Sequence, residues 1–264
     1  MDMVSLILQL QWTIQDLHHG NILYFILSNS NNYPFSGEDK SAFLSDVSTG
    51  RIIRRFQGHT QRINSIDLDD NGSVLLTGSY DKTVSCWDIR SNSRDPIQTL
   101  TDFKDSVSSV RHSNKATLGY IIASSVDGKT RIYDMRYGKM HSDNHSNPIT
   151  CVSLSNDNKT YITCCLGDNI KLTDISSGQL LRTFKGHKHR SYKIEACMTP
   201  DDKHIIAGDE SGCIYSWDIL TANITQKTNT PVHTKGISCI SHHPKQPLIL
   251  SSSYDSTVKC FQYQ

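Results

Sequence analysis

Several side chains in this chain are of the types that carry hydrolytic or metal chemistry. His59 is followed by Thr77, Ser79 and Asp81, His233 is followed by Asp255, and His187 by Ser211. A histidine held between a hydroxyl and a carboxylate is the arrangement that turns a serine or threonine into a nucleophile. The same set returns along the chain, however, whereas an active site occurs once. No G-x-S-x-G, P-loop or H-E-x-x-H motif accompanies it. The segments GHKHR (186–190) and SHHP (241–244) offer paired imidazoles for a metal, but His187 already belongs to the recurring set. The eight cysteines, among them Cys86, Cys164, Cys165, Cys213 and Cys260, form no paired C-x-x-C, and zinc is not expected. They read as reduced thiols packed in a cytosolic or nuclear protein. The expectation is a protein with no catalytic residue, no cofactor and no metal.

The elements that position these side chains form one recurring phrase: apolar run, small residues, tight turn, apolar run, then Trp-Asp or its remnant. Its clearest copies are LLTGSYDKTVSCWDI (75–89) and IIAGDESGCIYSWDI (205–219). The closing Asp falls at Asp46, Asp88, Asp134, Asp174 and Asp218, in steps of 42, 46, 40 and 44 residues. Phe261 stands where a sixth Trp would. A period of about 40–45 residues with four short strands per unit is the signature of WD40 propeller blades. Units are cut at about 36–57, 58–100, 101–140, 141–184, 185–228 and 229–264. In blades of this kind a loop His, a hydroxyl, a turn Asp and the indole N–H form one buried hydrogen-bond chain. Unit two supplies His59, Thr77 or Ser79, Asp81 and Trp87; unit five retains His187 and Trp217; unit six retains His233 and Asp255, with Phe for Trp. Unit three has Asp127 and Tyr133 without a loop His, and unit four has Thr173 for Trp and Gly167 for Asp.

Charges nearly cancel, 27 Lys+Arg against 26 Asp+Glu, so no global field points to nucleic acid or membrane. The start, MDMVSLILQLQW, lacks a basic region and a cleavage pattern, and ILYFIL (22–27) is too short to span a bilayer. Residues 1–35 carry no repeat pattern, and SNSNNYPF reads as loop. They are expected to be an atypical segment: a divergent blade, an alternative isoform, or translated non-coding sequence, the last two being favoured.

Within the WD-repeat proteins the chain resembles the mitogen-activated protein kinase organizers. The resemblance rests on DVSTGRIIRRFQGHTQRINSI, LLTGSYDKTVSCWDIRS, SVDGKTRIYDMRYGKMHSD, NPITCVSLSNDN, DISSGQLLRTFKGHKHRSYKIEACM and HHPKQPLILSS, and covers about residues 36–261. It implies a seven-bladed, non-catalytic scaffold of the extracellular-signal-regulated kinase cascade, also found in spliceosomal complexes. Against that pattern the first blade and half of the second are absent. The expected fold is therefore all-β, with five full blades plus a partial N-terminal blade in an incomplete seven-bladed ring. The alternative is closure at six, with residues 21–47 as an irregular blade. Partners are expected to be signalling kinases or spliceosomal proteins, with RNA contacted weakly or indirectly, no direct DNA and no membrane, in the cytoplasm and also the nucleus. The residue before each turn Asp position marks a contact rim: Tyr80, Val126, Leu166, Glu210 and Tyr254. Lys188 and Arg190 of the 185–193 region join it as possible contacts to an acidic partner.

Overall fold

Short runs of alternating or wholly apolar residues, each closed by an Asp-, Asn- or Gly-bearing turn, leave the backbone one economical solution: antiparallel hairpins. The structure is a computed structural model and describes residues 22–23, 32–46, 48–69, 72–113, 119–243 and 246–262. Its strands follow one another as meandering blades. The first blade comprises Ile22–Leu23 (β1), Asn32–Ser36 (β2), Ser41–Asp46 (β3) and Ile52–Gln57 (β4). The second comprises Ile63–Leu68 (β5), Val74–Ser79 (β6), Val84–Asp88 (β7) and Gln98–Leu100 (β8). The third comprises Val107–His112 (β9), Tyr120–Ser125 (β10), Lys129–Asp134 (β11) and Lys139–Asn144 (β12). The fourth has Ile149–Leu154 (β13), Thr160–Cys165 (β14), Asn169–Asp174 (β15) and Leu180–Lys185 (β16). The fifth has Ala196–Met198 (β17), His204–Gly208 (β18), Ile214–Asp218 (β19) and Ile224–Lys227 (β20). The last blade has three described strands, Ile237–His242 (β21), Leu248–Ser253 (β22) and Val258–Gln262 (β23).

This corrects the expectation of five full blades plus a partial one in a seven-bladed ring. Among the described residues six blade sheets are present, and the N-terminal one has four strands. The stretch expected to be loop supplies β2, which pairs Pro34 with Leu44 and Phe35 with Phe43. The Phe35 and Phe43 rings stack at 5.0 Å. Asn and Pro have poor strand propensity, but cross-strand aromatic pairing outweighs it. Among the described residues β1 pairs with Phe35 and Ser36 of β2, and Pro34 lies beyond that ladder. The part of the atypical segment before Ile22, and residues 24–31, lie outside the described residues.

The chain divides into two compact units, Met1–His112 and Ser113–Gln264. In the first, Ala42, Leu44, Phe56, Ile63, Ile66, Leu68, Leu75 and Trp87 form the core between the first two blades. Strand β9 packs beside β5: Asn64 Nδ2 donates to Val107 O at 2.8 Å, and the Val110 amide to Ser65 Oγ at 3.1 Å. In the second, Cys151, Ile162, Cys164, Ile170, Phe184, Ala207, Tyr215 and Trp217 belong to one core cluster. Among the described residues no helix is long and apolar enough to cross a membrane.

The turn between third and fourth strands is built alike in four blades. Asp46, Asp174 and Asp218 each accept from hydroxyls and amides of their own turn. Asp134 instead accepts from Arg136. The chain then leaves the turn through a residue at positive φ: Gly50 (66°), Gly138 (61°), Gly178 (68°), but Ala222 (60°) in the fifth blade. An L-residue there costs about 1–2 kcal/mol against its own carbonyl. Ala222→Gly is expected to raise stability by about 0.5–1 kcal/mol, read as a small upward shift of the thermal midpoint. An unchanged or lower midpoint would mean that the methyl's packing beside Trp217's cluster outweighs the strain.

Candidate functional site

In the second blade, Gly58 and His59 enter from the loop before β5, Thr77 lies on β6, Asp81 follows it in the turn, and Trp87 closes β7. The indole of Trp87 donates Nε1–H to Thr77 Oγ1 at 2.9 Å. Thr77 Oγ1 meets His59 Nε2 at 2.7 Å, and His59 Nδ1 meets Asp81 Oδ2 at 2.8 Å. Thr77 Oγ1 thus links the indole to the imidazole, whose other nitrogen meets the turn carboxylate, and it also lies 3.3 Å from Ser85 O. Asp81 also accepts from the Thr60 and Thr83 amides and the Thr83 hydroxyl. Burial works against its charge, but the His59 and Thr83 hydrogen bonds outweigh it and hold the carboxyl well below its usual range. Gly58 is required by the same indole, since a Cβ there would lie 2.9 Å from Trp87 Cη2. Ser79, expected in this chain, instead donates to Arg62 O at 2.9 Å and receives the Asp81 amide. It braces the turn; Thr77, two residues earlier on the inward side, takes the network position.

The last blade repeats the arrangement with a serine. His233 Nε2 lies 2.7 Å from Ser251 Oγ, and Nδ1 lies 3.0 Å from Asp255 Oδ2. Taken alone this is hydrolase geometry. Ser251 is 1% exposed and Thr77 fully buried, so neither oxygen can meet a substrate carbonyl. A nucleophile without access is a structural hydroxyl.

The fifth blade departs from the expectation that His187 joins Trp217 in such a chain. Ala207 occupies the place on β18 that Thr77 holds on β6, so the hydroxyl link is missing. Trp217 Nε1 turns instead to Lys185 O at 2.9 Å. His187 packs edge-on against Trp217 at 5.3 Å, and neither ring nitrogen has a hydrogen-bond partner among the described residues. Burial, aided by the neighbouring His189, pushes this imidazole down to about 4. The turn carboxylate has moved two residues earlier: Asp209 accepts from the Ser211 hydroxyl and the Cys213 amide.

The residues missed from sequence include Ser251, His145 and Arg131. His145 precedes Ile149 by four residues, as His59 precedes Ile63 and His233 precedes Ile237, and that spacing was the available signal. It is buried, contacts Thr130 Oγ1 at 3.1 Å, and is pushed down to about 4, first by burial and then by the Lys171 charge. The third blade carries a buried ion pair, Arg131 with Asp127 at 2.7 Å, where a loop His would otherwise serve the turn. Among the described residues no group of three or more His, Cys, Asp or Glu could hold a metal ion.

The expected contact rim is unevenly available. In the first unit, Tyr80 is exposed, with the Arg62 guanidinium 5.1 Å from its ring centre. In the second, Val126 is exposed, while the Leu166 carbonyl accepts from Asn147 Nδ2 at 2.7 Å. Glu210 is engaged internally: its carboxylate accepts from the amides of Arg190, Ser191 and Tyr192. Arg190 pairs with Asp168 at 2.8 Å, and Lys188 is exposed. Tyr254 donates to Lys193 O at 2.9 Å, and its ring lies 5.2 Å from that of Tyr192, which is itself exposed. Tyr192 was not singled out from sequence. No repeat position marks it, because the loop from 186 to 195 is longer than the corresponding loops of the second and last blades.

The family described as WD domain, G-beta repeat matches residues 50–88, 94–134, 139–174, 178–218 and 225–262. The chain is similar to WD repeat domain-containing protein 83 homolog of Dictyostelium discoideum, 32% identical over 91% of this chain and 82% of that protein. It is 35% identical to WD repeat domain-containing protein 83 of Rattus norvegicus over 62% of this chain, and of Homo sapiens over 64%. Those two alignments span about half the length of the mammalian relatives, 50% and 51%.

Proposed function

Because the chain belongs to the WD-repeat family, we propose that it is a non-catalytic adaptor that assembles protein complexes, working in the cytoplasm and nucleus on kinases of a mitogen-activated cascade. The observation that carries the adaptor reading is the fate of the His–hydroxyl–Asp sets. Every complete set is sealed inside a blade, while large aromatic side chains are left on the loops. Tyr192 and Tyr254 present adjoining rings to solvent, and exposed aromatic side chains are what protein contacts favour. An adaptor needs only to raise the effective concentration of one partner near another. The resemblance to mitogen-activated protein kinase organizers supports the choice of kinases; the same resemblance supports spliceosomal proteins as the second reading.

The test is affinity purification of the tagged full chain with quantitative mass spectrometry, beside a Tyr192→Ser/Tyr254→Ser variant. Kinases of the cascade are expected with the parent chain and depleted at least about ten-fold with the variant. The thermal midpoint should shift little, since the pair loses one hydrogen bond worth about 1 kcal/mol. Recovery of spliceosomal proteins and RNA in place of kinases would favour the second reading, and partners retained by the variant would move the contact elsewhere.

A further inference from the structure

Two threonines of the chain are followed by proline, in Thr199-Pro200 and Thr230-Pro231. A kinase cleft that offers no acceptor to the amide after its target residue selects proline there, because proline brings no N–H to leave unpaired. Along the sequence the two pairs look alike, and the fold separates them. Thr199 directly follows Ala196–Met198, the first strand of the fifth blade. It is 6% exposed; its hydroxyl donates to Asp201 Oδ1 at 2.6 Å and accepts from the His204 amide at 3.0 Å. A hydroxyl so enclosed meets no ATP phosphate unless the blade itself opens.

Thr230 lies on the loop from β20 to β21. That loop is pinned at both ends. The Thr228 amide donates to Ile214 O at 3.1 Å and the Ile214 amide to Thr228 Oγ1 at 3.1 Å, while the Val232 amide donates to Gly212 O at 2.8 Å. Between the pins Asn229, Thr230 and Pro231 are all exposed. Upstream, Ile224–Lys227 ends its sheet with four exposed side chains. Lifting residues 228–231 into a cleft breaks surface hydrogen bonds and moves no buried side chain. Native proteins open locally in this way far below their global unfolding free energy. The surroundings also suit a phosphate. Between Asp218 and Asp255 the chain carries no acidic residue. Lys227 and Lys235 flank the loop and are exposed, and Lys259 donates Nζ to Val232 O. Asp209, in the turn on which the loop rests, is buried and engaged by the Ser211 hydroxyl and the Cys213 amide. A phosphate, with a charge of about −1.5 to −2, would enter a loop whose flanking charges are lysines.

We propose that Thr230 is a phosphorylation site for a proline-directed serine/threonine kinase, with ATP as the phosphoryl donor. The Thr230 O–H bond breaks and its proton passes to the kinase's base. Oγ1 then bonds the γ-phosphorus, and ADP leaves. This site goes beyond the adaptor reading and stands without it, since a kinase acting on Thr230 need not be held by Tyr192 and Tyr254.

The test incubates the purified full chain with an active proline-directed kinase of the mitogen-activated class, ATP and Mg2+, and locates the phosphate by tandem mass spectrometry. Thr230 is expected to be phosphorylated and Thr199 to stay unmodified in the folded chain. Thr230→Ala should abolish the signal and Thr230→Ser should restore it. Pro231→Ala should slow it about ten-fold or more. Both Thr230 variants should melt with the parent chain, because the side chain is exposed, so loss of phosphate cannot be loss of fold. Tyr192→Ser/Tyr254→Ser should be phosphorylated on the same residue, which keeps this outcome separate from the fate of the adaptor reading. The proposal is overturned if no phosphate is incorporated, if it falls on Thr199, or if Thr230→Ala takes it up as fast as the parent chain. Equal rates for Pro231→Ala and the parent chain would also overturn it, since the proline would then select nothing.

Discussion

Replacing Thr77 with valine is expected to cost about 3 kcal/mol, although the two side chains have nearly the same volume. The hydroxyl accepts from the Trp87 indole and serves His59 Nε2, both fully enclosed. Valine leaves the indole N–H and the imidazole nitrogen buried without partners, each costing roughly 1–3 kcal/mol. No cavity forms, so the loss measures the polar chain rather than packing. Thr77→Ser, which keeps the oxygen and removes a methyl, should cost about 1 kcal/mol. Urea unfolding followed by Trp fluorescence would report both, and equal losses in the two variants would show that the methyl, not the hydroxyl, matters.

His187→Phe is expected to act in the opposite direction, stabilising the protein and flattening its response to acid. In the second blade a histidine is held by three partners; in the fifth, both ring nitrogens are buried without one. Phenylalanine keeps the edge-on contact with Trp217 and removes the two polar atoms, a gain of about 1–3 kcal/mol at neutral pH. The pH dependence has a definite sign. The folded imidazole takes its proton only near pH 4, against 6.5 when exposed. Between those values the unfolded chain binds a proton that the native protein refuses, so stability falls as pH falls from 6.5 towards 4. The full effect is roughly 3 kcal/mol for one such histidine. His145, pushed down to about 4 for the same first reason, contributes a second share. Below that window the loss passes to Asp81 and Asp255, whose lowered carboxyls stabilise the fold above their ordinary value of 3.8. Thermal midpoints from pH 7 to pH 4 should therefore fall less steeply for His187→Phe than for the parent chain. Parallel slopes would show that the ring is protonated or solvated in the native state.

These two positions show what repetition along a sequence can and cannot reveal. His59 and His187 both follow a glycine and both have a Trp-Asp downstream, so they look equivalent. Their difference depends on one residue in another strand, Thr77 or Ala207, and on the register that sets it opposite the indole's strand. The exposed rim behaves likewise. Glu210 and Arg190 look like free charges in the sequence, yet one caps the 190–192 backbone and the other pairs with Asp168. Tyr192 has no place in the repeat and became visible only beside Tyr254.

The sequence by itself determined the all-β class, the blade period, most of the turns, and His59, Asp81 and Trp87 of the second blade with His233 and Asp255 of the last; which hydroxyl completes each set, Thr77 or Ser251, came from the structure. Local side-chain periodicity and turn residues carry that information without reference to the rest of the chain. Tertiary structure decided that Asn32–Ser36 is a strand, because its stability comes from Phe43 across the ladder and not from its own propensity. It also decided which histidines are satisfied and which charges remain available. A hydrogen bond between strands joins atoms tens of residues apart, and only the folded register says which two they are.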